Sequence, residues 1–72
     1  MNINPGDMVR LLSGGGTGLL VGFENDRIYK VVGLWKRRGI TYVTIKSDDN
    51  PFAGNASPEQ LELLSKSNKK GA

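Results

Sequence analysis

Apolar residues in this chain recur at every second position over short runs, and the runs are separated by Gly, Pro, Asn and Asp, which is the pattern of half-buried β-strands. The first run, Asp7 to Leu12, is entered through Pro5-Gly6 and sends Val9 and Leu11 inward between Met8 and Arg10. Ser13-Gly14-Gly15-Gly16-Thr17-Gly18 ends it as a flexible loop. Leu19 to Phe23 reads as a second strand, and Glu24-Asn25-Asp26 as the turn after it. A third strand, Ile28 to Trp35, has Tyr29, Val31, Gly33 and Trp35 on one face and Ile28, Lys30, Val32 and Leu34 on the other. Gly33 is a natural position for a bend or bulge in it. Lys36-Arg37-Arg38-Gly39 then forms a hairpin connection, and Ile40 to Ser47 returns as a fourth strand. There Val43 and Ile45 belong to the core, while Tyr42 and Thr44 face solvent or a partner.

Glycine and β-branched residues interrupt every stretch long enough for a helix. One helical turn remains, at Ser57-Pro58-Glu59-Gln60, which has capping-box form with proline at the first helical position. Leu61 to Leu64 follows as a last strand that pairs with the first, and Phe52 is expected to pack over one end. The expected fold is all-β, a small five-stranded SH3-like barrel with one short helical turn before the last strand. Residues 1–64 form that domain, and residues 65–72, SKSNKKGA, form a flexible polar tail.

With 72 residues there is room for one domain, and a chain of this size buries only about 60% of the surface it exposes when unfolded. It has no cysteine and no histidine, so packing and strand pairing must hold it together without disulfides or a structural zinc. MNINPGDMVRLL lacks the pattern of a secretory signal, and no apolar run reaches the roughly 20 residues of a membrane-spanning helix. A cytoplasmic protein is expected, in which the glycosylation pattern at Asn55-Ala56-Ser57 has no meaning.

Candidate chemistry is thin. The glycine loop misses both the dinucleotide and the Walker spacing, because Leu19 stands where a further glycine is needed and no Gly-Lys pair follows. Asp48-Asp49-Asn50 lacks the glycine of a calcium loop, with Ala53 in its place. No histidine or cysteine is present as base or nucleophile, and neighbouring Asp48 and Asp49 point to opposite faces of an extended chain. The expectation is therefore no catalysis, no cofactor and no metal.

Binding remains. The net charge of +3 is modest, yet Arg27, Lys30, Lys36, Arg37 and Arg38 crowd the middle of the chain while the acids sit mainly in loops. The candidate partner-binding residues are Lys30, Trp35, Lys36, Arg37, Arg38 and Tyr42, since arginine and aromatic side chains are the usual hot-spot types. Against this, a strand tryptophan is more often core than anchor, and a charged hairpin tip also serves to keep a sheet edge soluble.

The run Gly6-Asp7-x-Val9-x-Leu11, then Leu19-Leu20-x-Gly22, Tyr29-x-Val31, Tyr42-Val43-Thr44-Ile45-x-x-Asp48-Asp49 and Leu61-Glu62-Leu63 resembles small phage and bacterial SH3-like proteins over about residues 5 to 64. It departs from them at Gln60-Leu61, where they often carry an aromatic residue. The size, the absent cysteines and the basic hairpin also look like a phage-encoded regulator that binds host RNA polymerase. That likeness implies inhibition of sigma-dependent initiation and promotion of antitermination in the host cytoplasm, by a monomer that acts through binding alone. The alternative is a nucleic-acid-binding barrel in which Lys30, Lys36, Arg37, Arg38 and Lys46 meet phosphates and Trp35 and Tyr42 stack on bases.

Overall fold

A computed structural model describes residues 3–66. Five strands form one antiparallel sheet: β1 (Met8–Leu11), β2 (Ile28–Arg37), β3 (Ile40–Lys46), β4 (Gly54–Ala56) and β5 (Leu61–Ser65). Their order across the sheet is β4-β3-β2-β1-β5. The fold is thus all-β, with the 3-10 turn Pro58–Gln60 directly before the last strand. Among the described residues no helix is long and apolar enough to cross a membrane.

The alternation read along the chain reappears as burial. Val9 and Leu11 of β1, Val43 and Ile45 of β3 and Leu61 of β5 all lie in the core, joined by Tyr29 and Val31 of β2. β2 is ten residues long and changes neighbours: its start, Ile28 to Lys30, pairs with β1, and Lys30 to Arg37 pairs with β3. One strand shared between two partners lets the sheet wrap around a single small core.

The turn before β5 forms as its residue types dictate. The Ser57 amide donates to Gln60 Oε1 at 2.9 Å, and the Gln60 amide donates to the Ser57 carbonyl at 2.9 Å. Gln60 Nε2 reaches further, to the Ser13 carbonyl at 3.1 Å, and so ties this turn to the end of β1.

Two strand expectations are corrected. Leu19 to Phe23 is not a strand; Gly18–Leu20 is a 3-10 turn in which the Leu20 amide donates to Thr17 and the Phe23 amide to Leu20. Its apolar residues close one end of the core instead, with Leu20 and Phe23 both buried. They rest on Gly54, where a Cβ atom would stand 2.7 Å from Phe23 Cε1. The missing fifth strand is β4, three residues long, which pairs with β3 through Val43–Ala56 and Ile45–Gly54. The aromatic over the core end is accordingly Phe23, packed 4.9 Å from the Tyr29 ring, and not Phe52, which is 73% exposed.

The glycine loop is built into the fold and is not merely a spacer. The Gly15 amide donates to Asn25 Oδ1 at 2.9 Å, and a Cβ at Gly15 would meet the Phe23 carbonyl at 2.8 Å. Asp7 is fully buried; its Oδ2 accepts from the Asn4 amide at 2.8 Å and from Lys66 Nζ at 3.3 Å. β5 therefore runs to Ser65, Lys66 reaches back to the start of β1, and the remainder of the expected tail, residues 67–72, lies outside the described residues.

Candidate binding ribbon and groove

The β2–β3 hairpin is closed by Arg38 and Gly39 at φ values of 53° and 79°. Two left-handed residues in a two-residue loop match the twist of the strands they join, which is why Asn-Gly is the usual choice there. An arginine in that conformation stores roughly 1–2 kcal/mol of steric conflict. Arg38 is held at the outermost point of the ribbon at a backbone cost that asparagine or glycine would largely avoid.

Behind the tip, a bulge decides which side chains share a face. Val31 lies opposite Ile45 and Gly33 opposite Thr44, so Val32 is an extra residue in β2. Without it, Trp35 would follow Tyr29 and Val31 inward, because successive side chains alternate. With it, Trp35 lies opposite Tyr42 on the outer face, where Lys30 already stands. The bend expected at Gly33 is present, and the expectation that Trp35 belongs to the core is overturned, since Trp35 is 37% exposed.

Trp35 and Tyr42 are stacked at 4.7 Å with their planes 21° apart. Trp35 Nε1 donates to Asn55 Oδ1 at 2.8 Å, and Thr44 Oγ1 donates to the same oxygen at 2.7 Å. Trp35 is thus held in its stacked position by Asn55, and Thr44 holds Asn55 in turn. Tyr42 also lines a groove of about 380 Å³, together with Leu19, Ile40, Thr17, Asn55 and Gln60. Leu19 is 58% and Ile40 51% exposed, so they offer apolar surface to this groove beside the polar Thr17, Asn55, Ser57 and Gln60. Arg37 does not line this groove but is the cross-strand partner of Ile40, which does.

The electrostatics of the ribbon are one-sided. Residues 28–46 hold five of the chain's ten cations and none of its seven acids, a local charge of +5 against +3 overall. Among the described residues, the ion pairs engage Arg10 with Glu62, Arg27 with Asp49 and Lys66 with Asp7. Every described cation outside those pairs, Lys30, Lys36, Arg37, Arg38 and Lys46, lies on β2, β3 or the turn between them. Near the opposite end of the ribbon, the Ser47 hydroxyl donates to Asp49 Oδ1 at 2.7 Å and Arg27 Nη2 donates to Oδ2 at 2.6 Å. These two donors, the hydroxyl first, hold the Asp49 carboxyl down at about 2, and Asp49 in turn raises the Arg27 guanidinium.

Of the residues singled out in the sequence, Lys30, Trp35, Arg37 and Tyr42 come to one face, joined by Lys46. Lys36 pairs with Thr41 and takes the opposite face, and Arg38 occupies the tip. Sequence reasoning missed Asn55, Leu19 and Ile40. Asn55 sits in a three-residue strand with no alternation to mark it, whereas Gln60 of the groove is the same residue that the capping box had already pointed out. Comparison with known proteins finds no matching family model, no matching curated protein and no matching solved structure.

Proposed function

We propose that this protein is a non-enzymatic binding module whose groove beside the Trp35–Tyr42 pair holds an extended segment of a protein partner. The observation that carries this is the preformed platform: Trp35, held by Asn55, stacks on Tyr42, and Tyr42 lines a groove together with exposed Leu19 and with Ile40, the cross-strand partner of Arg37. Leu19, Ile40 and Tyr42 suit apolar side chains of a peptide, and Arg37 and Arg38 suit acidic groups flanking them. No bond need be made or broken for such a surface to work.

The partner we propose is bacterial RNA polymerase, met by a phage-encoded regulator in the host cytoplasm. Support comes from the likeness of size, cysteine-free composition and basic hairpin to such regulators, together with a surface suited to adhesion. Binding alone then gives regulation. A ligand shifts an equilibrium only by its differential affinity for the two states, so a module that prefers core polymerase to the sigma-bound form displaces sigma. Turning a population from 1:99 to 99:1 takes about a 10⁴-fold preference, or about 5.5 kcal/mol. The same preference, retained during elongation, would carry the polymerase past terminators.

The test is a binding titration of the purified protein against purified core polymerase and holoenzyme. Core polymerase should bind more tightly, and both Arg37→Glu/Arg38→Glu and Leu19→Asp should weaken it by tenfold or more. Equal affinity for the two forms would remove the regulatory role. Undiminished binding by both variants would remove the groove and tip as the site.

A further inference from the structure

The protein-partner reading leaves two cations of the outer face, Lys30 and Lys46, unused. Lys30 and Lys46 are direct cross-strand partners on the outer face, a like-charge pairing that destabilises a sheet. They line a cleft of about 470 Å³ together with Met8, Ile28 and the Arg27–Asp49 pair. Asp48 stands on its rim. Lys46 Nζ donates to the Ser47 carbonyl at 3.2 Å, which fixes its ammonium at the cleft edge.

From this cleft the outer face continues as three further cross-strand pairs: Gly33–Thr44, Trp35–Tyr42 and Arg37–Ile40. Gly33 leaves the floor low, since a Cβ there would meet nothing nearer than Thr44 at 3.9 Å. Cations thus stand at both ends of an open strip with an exposed ring between them. The strip runs from Lys46 to Ile40, on the order of 20 Å at about 3.3 Å per residue.

We propose that this strip is a track for single-stranded nucleic acid, with phosphates held by Lys30 and Lys46 at one end and by Arg37 at the other, and a base laid on the Trp35 ring between them. Alternating charge and stacking surface is what a single strand offers. A duplex hides its base faces, whereas every base of a single strand has a free face to stack. The length suits the short end of the about 4–16 nucleotides that a small barrel covers. The track shares Trp35 and Arg37 with the protein-partner reading, and Lys30 and Lys46, which line no part of the groove, are the residues that tell the two apart.

Trp35 is the only tryptophan in the chain, so its fluorescence reports on this strip alone. Eight-nucleotide oligothymidylate and oligouridylate would be titrated into the full-length protein at rising salt, with polyglutamate as the anion without bases. Quenching of Trp35 is expected at low salt. The logarithm of the binding constant should fall against log salt with a slope of about −2, near −0.7 for each of three phosphate contacts. Lys30→Ala/Lys46→Ala should bring the slope to about −0.7 and weaken binding about tenfold, while the protein melts at the same or a higher temperature and keeps its groove contacts. The track is wrong if no oligonucleotide binds at low salt, if binding leaves Trp35 unquenched, or if the lysine variant binds as the parent does. Equal binding and quenching by polyglutamate would also overturn it, in favour of an acidic protein surface.

Discussion

Replacing Arg38 with asparagine should make the protein more stable and a poorer binder at once. Arg38 sits at φ 53° with a glycine after it, and the left-handed conformation costs a residue with a full side chain roughly 1–2 kcal/mol. Asparagine recovers part of this because its short polar side chain bonds locally in that conformation, so Arg38→Asn should gain about 0.5–1 kcal/mol, the scale on which a compatible backbone substitution acts. For a domain of this size that is a rise of about 3–6 °C in melting temperature. Relief of repulsion among Lys36, Arg37 and Arg38 would push the same way, so two controls separate the causes. Arg38→Gln removes the charge and keeps the strain, and it should gain little once salt screens the tip. Arg38→Val, β-branched in a left-handed position, should lose about 1 kcal/mol. Thermal and urea unfolding at low and high salt read all three. If Arg38→Asn melts lower than the parent in high salt, the strained-tip account fails. If it is more stable and binds its partner undiminished, the tip contributes nothing to binding.

Gly54→Val should destabilise by about 1–3 kcal/mol in urea unfolding, the usual cost of overpacking, because the added Cβ lies 2.7 Å from Phe23 Cε1 and 2.9 Å from Leu20 Cδ2. Gln60→Ala removes the capping bond to Ser57 and the tie to Ser13 and should cost about 1 kcal/mol; an unchanged urea midpoint would deny the turn any part in closing the fold. The Asp49 carboxyl, followed by carbon-detected NMR, should titrate near 2 and move upward in Ser47→Ala. Because its folded-state pKa lies below the unfolded value near 3.9, the stabilisation from this carboxyl is present above about pH 4 and lost as the pH falls toward 2. A midpoint near 4 in the parent protein would show that the Ser47 and Arg27 contacts do not hold in solution.

Much of the fold was legible because strand alternation and capping are local. Val9, Leu11, Val43 and Ile45 point inward for the reason that they alternate with polar neighbours, and Ser57-Pro58-Glu59-Gln60 carries its own hydrogen-bond partners within four residues. The count of five strands came out right through two compensating errors. Leu19 to Phe23 is apolar enough to resemble a strand, but Leu20 and Phe23 satisfy that apolarity by covering Gly54, a contact more than thirty positions away in the chain. Gly54–Ala56 has none of the β-branched or aromatic residues that mark a strand, and it is one because β3 offers it an unpaired edge. In the sequence Asp7 reads only as the start of the first strand, whereas its burial beneath Asn4 and Lys66 depends on where β5 ends.

The amino-acid sequence by itself determined the all-β class, the inward residues of β1 and β3, the capped turn before β5 and the crowding of charge onto one hairpin, since each of these follows from residue type and spacing within a few positions. Only the tertiary structure decided which of those charges and rings act together. A single extra residue at Val32 turns every later side chain of β2 over, and whether a strand bulges is settled by its pairing with β3 and not by its own composition. That one-residue slip sets Trp35 beside Tyr42 and on the same face as Lys30, and so gathers on one face residues that strict alternation assigns to opposite sides.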